Sequence, residues 1–372
     1  MKATLVTYAD EFSEHEIREL AKAAGYSVQD VVAIKQIVKS GYGVGVGKAQ
    51  ELGEIVAGND SDTLIIDESL TSAQANNLAK VTHVEVIDRE RLILNIFALR
   101  AATTQAKLQV QLAELRYELP RTKDTVRHSE AGERAGFMGM GELAVDVQFK
   151  ALKRRMVTIR EKLARAEMNR SVQRKERVKL GEPLVSFAGY TSSGKTTLFN
   201  RLASESKEES PNLFTTLATT TRAVSLPGSR RKVMLSDTVG FISRLPTYLV
   251  ESFKSTLEEL TYADLILLVV DVSESHQSVE VKLGSCRETL EQLGVDPKKI
   301  LLVLNKVDLL PHGARTQGLE GLLGGLSSVS TSATRGDGMR QLRNQILERT
   351  HKADSRMAPG RRRQILGTAQ RQ

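Results

Sequence analysis

The stretch GYTSSGKTT at 189–197 sets glycines, a lysine and hydroxyls at the spacing of a loop that wraps a phosphate. Gly189 and Gly194 permit backbone shapes in which the N–H groups of Tyr190, Thr191, Ser192 and Ser193 surround a β-phosphate, and a helix starting there adds its positive end. Lys195 is placed to neutralise β- and γ-phosphate oxygens. The Thr196 hydroxyl, with Thr197 behind it, is placed to coordinate magnesium. A match of this kind arises by chance often enough that its partners must appear downstream and in order.

They do appear. An apolar strand at 233–235 delivers Asp237, Thr238, Val239 and Gly240 (DTVG), where the carboxylate can hold the magnesium shell through water and the Gly240 N–H can sense a γ-phosphate. A second apolar run, 265–270, ends in Asp271, and a third, 300–304, runs into NKVD at 305–308. In that tetrad Asp308 can accept both N1–H and the 2-amino group of guanine, a donor pair that adenine lacks. Asn305 would brace the loop, and Lys306 would lie along the base plane. Beyond it, STSAT at 330–334 sets the Ala333 N–H, between Ser332 and Thr334, to face the guanine oxygen. The ligand implied is GTP or GDP with Mg2+. Between phosphate loop and DTVG lies the Thr-rich PNLFTTLATTTR, 211–222, suited to a segment that orders around a γ-phosphate. Thr216 is the first choice to complete the magnesium shell, with Thr220 or Thr221 as alternatives.

These residues need a sheet to hold them. Strand 184–188, the phosphate loop and a helix through Leu198, Phe199 and Leu202 follow in the required order, which implies an α/β P-loop domain of mostly parallel strands flanked by helices over 180–350. Ahead of it, apolar segments at 4–8, 31–38, 63–67 and 84–88 alternate with helical patterns at 14–24, 48–57 and 72–80, a small parallel α/β subdomain over 1–88. Its GYGVGVGKAQ, 41–50, looks like a phosphate loop, but Ala49 follows Lys48 where a magnesium-binding hydroxyl belongs. The reading is a flexible loop opening a helix.

From 89 to 179 the texture changes to long helices. Leu108, Leu112, Leu115 and Leu119 form one seam, and Leu152, Met156, Ile159, Leu163 and Ala166 another, as in an antiparallel coiled-coil hairpin. Pro120 is expected to stop the first helix, and the second to resume near Glu142 after a loop bearing Gly132, Gly136, Gly139 and Gly141. The second helix is strongly basic from Lys150 to Lys179, either a solvated face or a phosphate-binding stripe.

Composition narrows the partners. A net charge of +8 over 372 residues favours polyanions, while 4% aromatics and no Trp argue against stacking on exposed bases. The single cysteine, Cys286, excludes an internal disulfide, and no Cys/His cluster has zinc spacing. The N-terminus lacks a secretory apolar core, and no apolar run approaches the roughly 18 residues of a spanning helix. A cytoplasmic monomer is expected.

Taken together, GYTSSGKTT, LFTTLATTTR, DTVGFI and NKVD resemble the HflX family of GTPases, related to the Obg group. The likeness continues into VGVGKAQEL at 44–52, the hairpin and GMGEL at 139–143. The resemblance implies a GTPase that binds the large ribosomal subunit, with N-terminal region and hairpin reaching toward ribosomal RNA. Ser192 stands where the family usually carries an Asn linked in related GTPases to potassium coordination, so potassium stimulation is not carried over. GMGELAV lacks the Thr and Gln of the usual GETQ, so specific RNA contacts are not carried over either. A basic tail, 351–372, through Arg361, Arg362 and Arg363 takes the place of a sizeable further domain, and functions needing that domain are expected to be absent.

Phe241 follows DTVG where many GTPases place a water-orienting Gln, and the resemblance predicts this replacement; slow intrinsic GTP hydrolysis to GDP and phosphate follows. Arg222 and Arg244 are candidates for charge supplied in cis. A different class of function is a GTP-dependent module whose hairpin binds protein or an acidic membrane surface. An ATPase of the same fold conflicts with NKVD.

Overall fold

The computed structural model describes residues 1–35, 40–130, 140–204, 213–214, 219–227, 232–310 and 325–356. Packing divides the chain into two compact units, Met1–Ala164 and Arg165–Gln372.

In the first unit, β1 (Lys2–Tyr8), β2 (Ser27–Ile34), β3 (Thr63–Ile66) and β4 (Glu85–Asp88) form a parallel sheet in the order β2-β1-β3-β4. Helices α1 (Glu11–Ala23), α2 (Val46–Gly58) and α3 (Ser72–Thr82) connect them. β3 is buried along its whole length, as a strand covered on both faces must be, and after Thr63 its residues LII read as an apolar run. The glycine-rich segment opens α2, with Gly45 as its N-cap. It is not a free loop: Gln74 and Asn77 of α3 donate to the carbonyls of Ser40 and Gly41 at 3.0 and 2.9 Å, and the Ser40 hydroxyl donates to Val44 O at 2.5 Å. Amide side chains on the neighbouring helix supply the constraint that the glycines lack.

At the carboxyl ends of these strands sits a buried ionic group. Arg89, 3% exposed, opens helix α4 (Arg89–Arg100) and donates at 2.6 Å to both Asp67 and Glu16, while Thr7 donates to Asp67 at 2.7 Å. Replacing Arg89 with Ala would strand two carboxylates in the interior, a loss of about 3–5 kcal/mol for a broken buried pair. Urea unfolding of the chain should show a correspondingly lower midpoint for the first unit, and an unchanged midpoint would contradict the role given to this group.

Two long helices follow, α5 (Thr104–Glu130) and α6 (Met140–Leu180), the latter running through the division between the units. Leu112, Leu115, Met156 and Ile159 form their buried seam, flanked by Leu108, Leu119, Leu152 and Leu163. Ala166 does not belong to this cluster. Contrary to expectation, Pro120 does not end α5. Proline gives up an N–H and crowds the preceding turn, but side chains beside it tie the helix to the sheet. Tyr117 donates to Asp88 at 3.1 Å, and Arg121 donates to Asp88 and to Leu70 O at 2.5 and 2.6 Å. Gly132, Gly136 and Gly139 lie outside the described residues, as does the tail with Arg361, Arg362 and Arg363; Gly141 falls in the first turn of α6.

The second unit is built on β5 (Leu184–Gly189), β6 (Thr220–Ser225), β7 (Lys232–Asp237), β8 (Leu265–Asp271), β9 (Ile300–Asn305) and β10 (Ser328–Ser330), ordered β10-β9-β8-β5-β7-β6. All neighbours are parallel except β6, which runs antiparallel to β7. β5, β8 and β9 are buried at every position, which accounts for their mainly apolar sequences. Packed with them are α7 (Lys195–Ala203), α8 (Thr247–Ser252), α9 (Lys254–Tyr262), α10 (His276–Gln292) and α11 (Met339–Arg356). Phe187 of β5 meets Phe199 of α7 edge to face, ring centroids 5.9 Å apart, so the core itself fixes the angle at which strand gives way to helix.

Candidate nucleotide site

The sheet delivers its polar residues to one edge. β5 ends in Gly189, β7 in Asp237, β8 in Asp271 and β9 in Asn305, all at the carboxyl ends of strands where open α/β sheets bind ligands.

Between β5 and α7 the chain makes the tight loop that the glycines predict. Gly189 has φ +144° and Gly194 φ +91°, and a Cβ would run into Val269 O at the first and the Asn305 amide at the second. Only glycine meets both demands, left-handed backbone and contact at the Cα. Ser192 is exposed with φ +60°, Thr191 and Ser193 are buried, and Thr197 is half-buried. Lys195 lies beneath the loop, its ammonium donating to Tyr190 O at 2.6 Å. Burial pushes its pKa down to about 8 against the opposing attraction of Asp237.

Thr196 Oγ1 donates to Asp237 Oδ2 at 3.1 Å, and Asp237 is fully buried. A hydroxyl and a carboxylate oxygen side by side are the hard donors a magnesium ion takes when phosphate and water fill its remaining positions. Among the described residues no group of three or more His, Cys, Asp or Glu could hold a metal by itself. Thr216 lies outside the described residues. Its alternatives, Thr220 and Thr221, lie in β6, with Thr220 opposite Asp237 across the ladder.

The DTVG segment is fastened to the phosphate loop. Thr191 N donates to Phe241 O at 2.8 Å, Phe241 N to Gly189 O at 3.0 Å, and Ser243 N to the Tyr190 hydroxyl at 2.7 Å. Thr238 donates to Phe187 O at 2.6 Å and Val239 is buried. Gly240 sits so close that a Cβ would stand 3.1 Å from the Lys195 ammonium and 2.9 Å from Thr191 Cγ2. Phe241, 1% exposed, keeps its ring in the interior, so no side chain at this position is presented to water. Arg222 is exposed in β6, donating to Thr221 O at 3.1 Å, and Arg244 is exposed with φ +49°.

NKVD and STSAT are brought together by hydrogen bonds. Asn305 donates to Ser193 O at 2.9 Å and accepts from Thr331 Oγ1 and Ala333 N at 3.2 and 3.1 Å, so one amide links phosphate loop and base loop. Lys306, at φ +64°, pairs with Asp271 at 2.5 Å, and Asp271 is held in turn by the Ser273 N–H and hydroxyl at 3.0 and 2.6 Å. Asp308 accepts from Thr334 at 3.3 Å, and hydrogen bonding from Ser332 first, then Thr334, keeps its carboxyl below the usual carboxylate range. It stays ionised, as an acceptor for two donors must. The bracing roles of Asp271 and the Tyr190 hydroxyl were not evident from spacing, because both depend on partners brought in from other loops.

A six-stranded, mostly parallel sheet with a lysine-bearing phosphate loop at its carboxyl edge and an NKVD-type base wall defines a P-loop GTPase. Residues 184–306 match the family model described as 50S ribosome-binding GTPase, and residues 11–98 and 100–177 match those described as GTP-binding GTPase N-terminal and GTP-binding GTPase Middle Region. GTPase HflX of Thermococcus kodakarensis is 43% identical over 301 residues, 81% of this chain and 68% of that protein. GTPase HflX of Methanocaldococcus jannaschii is 40% identical over 313 residues, 84% and 76% of the two chains. Among solved structures, the SsGBP and GDP complex is similar with 28% identity and a TM-score of 0.53, covering 95% of this chain and 99% of that one. The chain belongs to the HflX GTPase family.

Proposed function

We propose that this chain is a magnesium-dependent GTP-hydrolysing switch of the cytoplasm that associates with the large ribosomal subunit. The observation that carries the nucleotide part is the single amide of Asn305 joining the phosphate loop at Ser193 to the base wall at Ala333, because it sets the two halves of one nucleotide site at fixed separation. In this reading the N–H groups of residues 189–194 and the Lys195 ammonium bind the phosphates, while Asp308 and the Ser332, Ala333 and Thr334 turn bind guanine. Thr196 and Thr216, with Asp237 through water, hold Mg2+, which supplies charge neutralisation across the β- and γ-phosphates. Gly240, fastened beside Lys195, senses the γ-phosphate through its N–H.

Hydrolysis in this site rests on magnesium and phosphate-loop electrostatics, because the buried Phe241 side chain offers the attacking water no polar atom. Slow turnover that a partner accelerates follows from that.

Support for the ribosomal part is the family description of residues 184–306 together with exposed basic side chains on α6, among them Lys150, Lys153, Arg154, Arg155, Arg160 and Lys162. The organisation in this reading is an α/β subdomain at 1–88, a hairpin at 89–179, the GTPase domain at 180–350 and a basic tail at 351–372. Cosedimentation with large subunits in a nonhydrolysable GTP analogue, against GDP, tests it. Binding that favours the analogue, weakens steeply with salt and falls further on neutralising Arg154 and Arg155 is expected. No cosedimentation in either state, with capture on acidic vesicles or by a protein instead, would support the interaction-module reading. Among the described residues no helix is long and apolar enough to cross a membrane.

A further inference from the structure

Arg201 lies in the last turn of α7, the helix that Lys195 begins. Its guanidinium donates to the carbonyls of two successive residues, Thr334 at 2.9 Å and Arg335 at 3.1 Å. Gly336 lies against the same group: with φ +93°, a Cβ there would overlap the guanidinium. The turn so grasped is the one that presents Ser332, Ala333 and Thr334. From within, it is closed by Gly336 N donating to Ser332 O at 2.8 Å, Arg335 N to Ser332 Oγ at 3.0 Å and Ser332 N to Asp337 O at 3.1 Å. Asn305 holds its inner side, through Ala333 N, and Arg201 holds the carbonyls on the far side of the same residues.

We infer that Arg201 is a positioning residue for guanine selection: by forking onto Thr334 O and Arg335 O it sets where the turn places Ser332 and Thr334 around Asp308. This rests on the guanine-pocket reading above. A planar fork suits the task, since two adjacent carbonyls take two donors from one rigid group and both peptide planes are then fixed; an ammonium offers no such plane. The consequence is that the helix beginning at the phosphate lysine and the turn that reads the base are braced against each other. A phosphate grip and a base grip are therefore established at one separation.

The test is the ratio of Kd for IDP to Kd for GDP, measured by calorimetry on the full chain with magnesium. IDP differs from GDP by the missing 2-amino group, so the ratio reports how well Asp308 is placed, whereas damage to the phosphate loop lowers both affinities alike. Arg201→Gln is expected to weaken GDP about tenfold, through loss of the two guanidinium hydrogen bonds that hold the turn, and to cut the IDP/GDP ratio about fivefold. Arg201→Lys, keeping charge without the fork, should resemble it. Gly336→Ala, which displaces the guanidinium from the other side of the contact, should lower the ratio with Arg201 intact. A selective wild type whose ratio survives in Arg201→Gln and Gly336→Ala overturns the role of Arg201 alone. A wild type indifferent to the 2-amino group overturns the base-pocket reading and Arg201 with it.

Discussion

Asp308→Asn should exchange guanine for xanthine as the preferred base. In the proposed site Asp308 would meet N1–H and the 2-amino group of guanine with two acceptors; Asn replaces one acceptor by an amide donor, which matches the C2 carbonyl that xanthine carries in place of the 2-amino group. In a GDP complex with the variant the 2-amino group would face the Asn amide donor, which is the costly outcome, since a site built around hydrogen bonds rejects the wrong partner far more strongly than an apolar pocket does. GDP affinity should fall at least about 100-fold while XDP affinity rises to within about tenfold of the original value for GDP. Equilibrium competition with a fluorescent guanine nucleotide reads both. A variant that keeps the order GDP over XDP would mean that Asp308 does not touch the base, and that its hydrogen bonds with Ser332 and Thr334 serve only the turn.

Lys195→Ala should abolish useful nucleotide binding with little effect on the fold. The ammonium is buried beneath the loop and bonded to Tyr190 O, with Gly240 packed against it, so its removal takes away a buried cation of the proposed phosphate site and leaves the strand and helix cores intact. A loss of about 100-fold or more in GTP affinity is expected from removing a charge-assisted contact of this kind. The pH dependence follows with a definite sign. Burial lowers the Lys195 pKa to about 8, whereas bound phosphates would favour the charged form, so nucleotide binding should take up a proton once the pH exceeds that value. Affinity should be flat below about pH 7 and fall by up to about tenfold per unit above pH 8. The Ala variant should show no such slope. An equal slope in both proteins would assign the titration to another group.

The glycine turn before α7 and the strand ends that carry Asp237 and Asn305 were legible because each is a local arrangement: glycine spacing and polar residues closing short apolar runs, which the structure shows as buried strands. The hairpin seam was legible for the same reason, as a periodicity. What escaped are pairings between residues far apart in the chain. Arg201 looks like any surface arginine on a helix until the turn at 334–336 is brought to it, and Arg89 gives no sign in sequence of Glu16 and Asp67. Pro120 misled because proline's local penalty was weighed without the tertiary bonds of Tyr117 and Arg121, which hold the helix through it. The glycine loop at 41–45 misled in the same direction, its freedom being removed by Gln74 and Asn77 on another helix. Local rules were overridden wherever a distant side chain supplied the missing bond.

Titration of the full chain with GDP and with ADP, in one buffer containing magnesium, bears most directly on the whole account. GDP should bind with one site per chain and at least about 1,000-fold more tightly than ADP, the discrimination that Asp308 facing two donors implies. Comparable affinity for ADP, or no heat with either nucleotide, would contradict it.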